Sequence, residues 1–463
     1  VELAGSPLSP TNAPLTVKVN PDRNSGTDLL HWQLPVAWLT GTLQVYVEID
    51  PANTVVEDND NNNRFPANGT TALNFIETRD MEIIVVPFRV RYSNGTVAEP
   101  TLAHIHVAMK LLLRAFPFKG FHLILHSPLS ICETVGIDLS TALMNATQAL
   151  RTAEALPFQR HKFYYGISPS WGAGGWGEVG GNVASGGQWD GVVWQELGHG
   201  FGLRHAPCGV DPANSLDLSY PYAGGVIGNP GWDAPNNKIW SSNTADFMSY
   251  CNPSFTSDYA YRYILNKLKV TTVEATQSAG AMQNNASELW VVNGTVSEDG
   301  KSGSLQPIFR IANPALALAS GEVGAAHAAD SATAGGDYRI ALVNAAGEEF
   351  YHHTFDMPTM SRASVKFTTF SLNMAAQNGA VAARLYYKDF LIDELAAGAM
   401  PTVAITSAAP GTLNANYLLK WTGSSNALYL ERYSAENGET WQVLASAISD
   451  KELLEDARYL KGT

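Results

Sequence analysis

The chain has 463 residues, of which 45% are hydrophobic and 16% charged, and its formal net charge is -14. This length is too great for one compact core and favours three or four domains, while the composition is typical of a soluble globular protein. The acidic balance, without a dense basic stretch, argues against a nucleic-acid partner, and no apolar run is long enough for a membrane span.

Residues 1–78 predict a β-sandwich, because short runs of alternating apolar and polar residues, such as Leu43–Asp50, are separated by turn-rich segments. The acidic loop Glu57–Phe65 has oxygen-rich side chains that suit calcium. However, Asn63 stands where an EF-hand loop needs glycine, and Gly69 stands where it needs glutamate, so an Asx-rich turn is favoured. The segment loosely resembles the adhesion-type sandwich domains of secreted bacterial proteins.

From about residue 79 to residue 270, predicted strands alternate with predicted helices, which indicates a layered α/β domain. The hydrophobic periodicity predicts strands and amphipathic helices over Met81–Tyr92 (strand), His104–Phe116 (helix), Phe121–Ser127 (strand), Leu139–Leu156 (helix) and Lys162–Pro169 (strand). Ser140 is a candidate cap of the second helix.

The run Gln195–His205, with the sequence QELGHGFGLRH, carries the residues that suggest chemistry. On an α-helix, positions 195 and 199 project from one face, and Glu196 lies beside them. Gly202 allows the helix to stop and the chain to turn, so that His205 can approach the same point. Three side chains around one point suit a zinc ion with an open position for water, whose proton Glu196 can take as general base.

With these residues, the chain resembles the metzincin clan of zinc metalloendopeptidases, whose motif HExxHxxGxxH is matched at every specified position except the first. The run Asp246–Cys251 resembles the methionine turn of that clan, with Met248 as the turn residue. Tyr250 occupies the place where some metzincin families carry a tyrosine that binds the ion or stabilises the oxyanion. Over about residues 81–270, the resemblance implies a domain with a mixed sheet and an active-site helix. It also implies zinc as cofactor and the hydrolysis of peptide bonds.

The resemblance also implies that an edge strand just before the active-site helix pairs with the substrate backbone. Gly177–Ala184 is the candidate, and strand addition would explain its small residues. The predicted substrate-binding residues are Gly177, Glu178, Val179, Gly180, Gly181 and Asn182. Ser257–Leu268 would match the C-terminal helix of the fold, and Asp190 is a candidate N-cap of the active-site helix.

Two of the three cysteines lie near the candidate site in sequence: Cys208 is three residues after His205, and Cys251 is three residues after Met248. If both loops fold under one site, these cysteines can form a disulfide. A disulfide would imply an oxidising compartment, so we expect a secreted or cell-surface protein.

Gln195 is the one departure from the metal-binding motif, because the first ligand position normally holds histidine. Its neutral amide offers only a carbonyl oxygen, a poorer zinc ligand than imidazole, so His199 and His205 would hold the ion weakly or not at all. Three explanations are open: an engineered substitution that silences a protease, a natural loss that leaves a pseudoprotease, or a tolerated ligand in an unusual site.

Beyond the α/β domain, strand-like runs predict a β-sandwich over residues 271–400, and residues 401–463 resemble a truncated immunoglobulin- or fibronectin-like domain. We therefore expect a multidomain α+β protein in which a zinc metalloendopeptidase, impaired by Gln195, is flanked by all-β modules that contact a surface or glycan. The modular arrangement resembles that of bacterial proteases directed at glycoproteins. The alternative is a catalytically inactive pseudoprotease or an adhesin-like module that binds protein or glycan.

Overall fold

The structure is a computed structural model of the chain. It describes residues 2–3, 6–13, 15–16, 18–22, 24–118, 120–132, 138–154, 162–169, 174–211, 215–269, 288–312, 336–361, 367–397, 403–410, 416–423, 429–433, 442–448 and 452–456. The last two residues of the helix predicted over Leu139–Leu156 lie outside this described part of the chain.

Short strands and turns make up the N-terminal region. The strands are β1 (Glu2–Leu3), β2 (Ser6–Pro7), β3 (Thr42–Val45), β4 (Val47–Glu48), β5 (Arg64–Phe65) and β6 (Thr71–Asn74). They pair antiparallel as β1 with β2, β3 with β6, and β4 with β5. In the acidic loop, the side chain of Asn59 accepts the backbone N–H of Asn61 at 3.1 Å, which is the Asx turn that the sequence favoured.

The central region contains the helices α1 (Leu102–Met109), α2 (Leu112–Ala115), α3 (Leu139–Glu154), α4 (Asp190–Gly200) and α5 (Asp258–Leu268). Its strands are β7 (Met81–Arg91), β8 (Val97–Ala98), β9 (Phe121–Leu125), β10 (Leu129–Cys132), β11 (Lys162–Ile167), β12 (Gly175–Gly177), β13 (Val183–Gly186), β14 (Gly231–Asp233), β15 (Lys238–Trp240), β16 (Ala245–Asp246) and β17 (Ser254–Phe255).

Two details of the predicted helices are wrong. The helix predicted over His104–Phe116 is divided into α1 and α2, since the apolar pattern continues across a break that periodicity cannot locate. Ser140 lies inside α3, and the cap is Asp138, whose carboxylate accepts the backbone N–H of Thr141 at 3.0 Å.

The central sheet has the order β12–β13–β11–β7, with β9 beside the first half of β7 and β10 beside its second half. β7 is parallel to β9, β10 and β11, and β11 is parallel to β13, whereas β12 runs antiparallel to β13 at the edge of the sheet. The edge strand β12 and its neighbour β13 thus directly precede α4 in the chain.

Side chains of β7 are buried on both faces of the sheet, because alternate residues of a strand point to opposite sides. Ile83 and Val85 belong to the core that includes α1, α4 and α5. Ile84 and Val86 belong to the core that includes α3. None of the helices in the described part of the chain is long and apolar enough for a membrane span.

The described residues between 288 and 397, which we call the β-module, form two four-stranded sheets. Their strands are β18 (Glu288–Ser297), β19 (Gly303–Leu305), β20 (Phe309–Ala312), β21 (Tyr338–Val343), β22 (Glu349–Phe355), β23 (Phe367–Ala375), β24 (Ala382–Tyr387) and β25 (Phe390–Ala396). β18 pairs with β19, β20 and β23, and the second sheet has the order β22–β21–β24–β25. Buried residues of both sheets, such as Val292 and Ile340, belong to one hydrophobic cluster.

The remaining strands are β26 (Val403–Pro410), β27 (Asn416–Gly423), β28 (Tyr429–Tyr433), β29 (Gln442–Ile448) and β30 (Glu452–Asp456). β26, β27 and β30 form a separate sheet. β28 and β29 instead extend the central sheet, where Ala445 pairs with Ser130 of β10 in parallel. The division of the chain into four domains stays a prediction.

Candidate active site

Helix α4 positions the motif residues and ends where the sequence requires it to end. The N-cap is Trp189 and Asp190 is the first helical residue, so the predicted cap position was wrong by one residue. Gly202 has φ +103°, and a Cβ at this position would lie 2.8 Å from Tyr263 Oη. Both the left-handed backbone and the close contact require glycine, and the chain turns there toward His205.

The two motif histidines face each other in the interior. The exposed fractions of His199 and His205 are 0% and 1%, and their Nε2 atoms lie 3.2 Å apart. Nδ1 of His199 lies 2.8 Å from the carbonyl oxygen of Leu203. Because a carbonyl only accepts, Nδ1 carries the hydrogen and Nε2 keeps its lone pair. Two imidazole nitrogens about 2.0–2.1 Å from a tetrahedral zinc ion lie roughly 3.3 Å apart, so this pair fits two zinc ligands.

The protonation state of His199 also suits metal binding. Burial, reinforced by the charges of His205 and Arg204, lowers the pKa of His199 to about 3. The imidazole is therefore neutral near pH 7, which is the form that binds a metal ion.

The backbone of His205 is fixed by a segment that the sequence did not reveal. His205 donates its N–H to the carbonyl oxygen of Ser215 at 3.0 Å, and Asp217 donates its N–H to the carbonyl oxygen of His205 at 2.8 Å. The carboxylate of Asp217 accepts the hydroxyl of Tyr259 in α5 at 2.8 Å. Helix α5 therefore helps to hold the backbone of His205, the third predicted ligand.

Met248 lies under α4, and its role as the methionine turn of the metzincin clan stays a prediction. Its side chain is 2% exposed, and its Sδ lies so close to Gly198 that no Cβ would fit there. Ala206 donates its N–H to the carbonyl oxygen of Met248 at 3.1 Å, and Tyr250 donates its N–H to that of Cys208 at 3.0 Å. The segment after His205 thus pairs with the turn.

Cys208 and Cys251 form a disulfide with a Cα–Cα distance of 5.7 Å, which joins the same two segments. The ring of Tyr250, which is 43% exposed, lies 5.0 Å from the ring of His205, measured between centroids. The tyrosine therefore stands beside the histidine pair and remains open to solvent.

Glu196 is 4% exposed and lies against the edge strand β12. A Cβ at Gly175 would lie 2.7 Å from Glu196 Oε1, and a Cβ at Gly177 would lie 3.0 Å from Oε2. The glycines of β12 therefore make room for this carboxylate, a reason for small residues that the sequence did not suggest. Burial, followed by the charge of Glu196, raises the pKa of Tyr165 well above its ordinary value.

Gln195 lies one helical turn before His199, and its side-chain Nε2 is buried without a hydrogen-bond partner. Within the described part of the chain, no group of three His, Cys, Asp or Glu side chains could hold a metal ion. The residues present thus fit zinc at two of the three predicted ligand positions, and the third position holds an amide.

The strand predicted over Gly177–Ala184 is wrong in its bounds. Gly177 ends β12, a turn with Gly180 at φ +82° follows, and β13 begins at Val183. Of the predicted substrate-binding residues, Gly177, Glu178 and Val179 form the outer edge of the sheet, while Gly180, Gly181 and Asn182 lie in the turn. That edge pairs with residues 359–361 of the β-module.

The model of the family Peptidase M66 matches residues 145–289 of the chain. The matched segment contains α4, the histidine pair and the turn at Met248, and it supports a metallopeptidase family for this part of the chain. No curated protein and no solved structure matched the chain.

Proposed function

We propose that this chain is built as a zinc-dependent metalloendopeptidase of metzincin type that hydrolyses peptide bonds in protein or glycoprotein substrates. The observation that carries the proposal is the 3.2 Å approach of His199 Nε2 and His205 Nε2 beside the buried Glu196. The family match to residues 145–289 supports the same class of enzyme.

His199 and His205 would hold the ion, with Gln195 at the first ligand position of the motif. Zinc, when bound, would supply a Lewis acid that polarises the scissile carbonyl and makes a water molecule more acidic. Glu196 would take the proton from the attacking water and pass it to the leaving amine. Tyr250, next to His205 and open to solvent, would donate a hydrogen bond to the oxyanion.

Gln195 impairs this function in the present chain. An amide oxygen binds zinc less well than an imidazole nitrogen, and the site lacks a third ligand of the preferred type. The rest of the arrangement, including the neutral His199 and the buried Glu196, is retained.

A second candidate function is a pseudoprotease or adhesin-like protein that binds protein or glycan without cleaving it. Two observations favour it: the amide at position 195, and the occupation of the β12 edge by residues 359–361. In that case the flanking β-structure would supply the binding surfaces.

We also propose that the protein works outside the cytoplasm, in a secreted or surface-bound form. The disulfide between Cys208 and Cys251 supports this, because such bonds persist mainly in oxidising compartments.

Zinc retention and proteolysis of two proteins, this chain and its Gln195→His variant, test the proposed function. After dialysis against zinc-free buffer, the variant should retain close to one zinc per chain and should cleave casein or a glycoprotein, whereas the parent retains little zinc and cleaves slowly. A histidine variant that neither binds zinc nor cleaves any of these substrates would overturn the protease proposal. A parent chain that is already fully active would overturn the role assigned to Gln195.

A further inference from the structure

Thr359–Ser361 of the β-module pairs with Gly177–Val179 at the outer edge of β12 through an isolated antiparallel β-bridge, and we call this segment the strap. Val179 donates its N–H to the carbonyl oxygen of Thr359 at 2.7 Å, and Ser361 donates its N–H to that of Gly177 at 2.9 Å. Glu178 and Met360 face each other in this antiparallel pairing. The strap thus uses the same edge groups that an extended peptide would use.

The two faces of the strap make different contacts, as alternation along a strand requires. Met360 is 7% exposed and packs with Met144, Trp176 and Val183 on one side of the sheet. Ser361 lies on the other side, where its hydroxyl accepts the N–H of Gly177 at 3.0 Å and donates to Glu196 Oε2 at 3.3 Å. The strap therefore reaches the carboxylate proposed as general base.

The strap is also bound by Ser215, the residue that pairs with the backbone of His205. Ser215 donates its hydroxyl to the carbonyl oxygen of Met360 at 2.9 Å, and the carbonyl oxygen of the same Ser215 accepts the N–H of His205. One short segment is thus bound both to the sheet edge beside Glu196 and to the backbone that positions His205. Thr359, in contrast, has an exposed side chain.

We propose that the strap is an autoinhibitory segment, which fills the peptide-binding edge in the resting chain and must leave it before a substrate strand can reach Glu196. The inference rests on the proposed function, since it concerns access to that active site. The outer edge of β12 has one row of hydrogen-bonding groups, so the strap and a peptide strand exclude each other. Because the strap belongs to the same chain, its effective concentration is high, and a free peptide competes poorly.

Two variants of the full chain change the strap in opposite directions. Ser361→Pro removes the N–H that Gly177 accepts and the hydroxyl that contacts Glu196, so it should release the strap. A disulfide in the double variant Val179→Cys/Thr359→Cys should lock it, because opposed residues of a strand pair lie within disulfide reach. Thr359→Ala, which changes only an exposed side chain, is the matched control.

The first measurement requires no catalysis. A fluorescein-labelled peptide with the sequence of residues 356–363, DMPTMSRA, is titrated with each protein and followed by anisotropy. We expect Ser361→Pro to bind this peptide at least tenfold more tightly than the parent and Thr359→Ala, and the oxidised double variant to bind none. Equal affinity in all four proteins would overturn the proposal.

Folding of the release variant is checked by circular dichroism. If Ser361→Pro does not fold, the proposal is tested with the double variant Val179→Cys/Thr359→Cys instead. The measurement is then the amide hydrogen exchange of residues 175–179 in its oxidised and reduced forms. Exchange at least tenfold slower in the oxidised than in the reduced form supports a strap that opens, and equal exchange contradicts it. The parent chain, treated with the same oxidant and reductant, controls for effects on the bond between Cys208 and Cys251.

The second measurement separates this inference from the proposed function. In the Gln195→His background with added zinc, casein hydrolysis should increase at least tenfold on strap release and should stop when the strap is locked. If the Gln195→His variant cleaves nothing even when the strap is released by Ser361→Pro, while peptide binding still depends on the strap, the proposed function fails and the strap stands. If hydrolysis is the same in released and locked forms, the autoinhibitory role fails and the protease stands.

Discussion

The Nε2 atoms of His199 and His205 lie 3.2 Å apart, close to the separation of two nitrogen ligands on one tetrahedral zinc ion. Both rings are buried, and the hydrogen bond from His199 to Leu203 fixes the tautomer that leaves Nε2 free of hydrogen. Two of the proposed zinc ligands thus have the spacing that the ion requires, and Gln195 is the position where a substitution should have the largest effect on zinc affinity.

Replacing Gln195 with histidine should strengthen zinc binding roughly 100-fold or more, since even residues that only support a ligand change metal affinity about 10- to 100-fold. Isothermal titration with zinc at pH 7.5 measures the change. Gln195→Ala is the control, because it removes the amide without adding a ligand and should not gain affinity. A histidine variant with the affinity of the alanine variant would show that position 195 does not face the ion.

Glu196 should be required for hydrolysis but not for metal binding. In the Gln195→His background, Glu196→Gln removes the proposed general base, so the turnover rate should fall about 10²- to 10⁴-fold while zinc content stays unchanged. Glu298→Gln, at an exposed position of the β-module, is the matched control. Retained turnover in the Glu196 variant would assign the general base to another group.

The bond between Cys208 and Cys251 should contribute to stability and to the geometry of the site. The cysteines are 43 residues apart in sequence, and closure of a loop of that length corresponds to about 4 kcal/mol in the chain-entropy estimate. The double variant Cys208→Ser/Cys251→Ser should unfold at lower urea concentration. In the Gln195→His background it should also bind zinc less tightly, because the bond joins the segment after His205 to the turn.

The two single serine variants control this measurement. Each breaks the same bond, so each should lose as much stability as the double variant, and additive losses would point to separate roles for the two side chains.

Helix α4 and the turn at Gly202 could be predicted from the sequence because their determinants are local. Glu196 and His199 have the spacing of neighbouring residues on one helix. Gly202 supplies the left-handed backbone with which the chain leaves that helix. Strand β7 could also be predicted, since it contains the continuous apolar run Ile83–Val86.

Contacts between distant segments could not be predicted in this way. Ser361 and Glu196 are 165 residues apart, and nothing in the sequence around Ser361 indicates a polar contact with a carboxylate. The same holds for the pairing of Ala445 with Ser130, since strand edges carry no sequence pattern that identifies their partner. The small residues of Gly177–Ala184 are visible in the sequence, but the contact of Gly175 and Gly177 with Glu196 depends on how α4 packs against the sheet.

Asp246, which lies in the turn at Met248, should make the stability of the protein depend on pH. Its carboxylate accepts the N–H groups of Met248 at 2.7 Å and Ser257 at 3.0 Å, yet burial raises its pKa above the ordinary value despite these bonds. The folded state therefore holds this proton more tightly than the unfolded state. The resulting stabilisation is complete below the unfolded pKa, about 3.9, and is lost as pH rises through the folded pKa, at up to about 1.4 kcal/mol per pH unit.

The Asp246→Asn variant cannot ionise at this position. In urea unfolding from pH 4 to pH 8, the difference in the free energy of unfolding that favours the parent over this variant should shrink as pH rises. The exposed Asp389→Asn variant serves as the surface control, and an advantage that grows with pH would contradict the assignment.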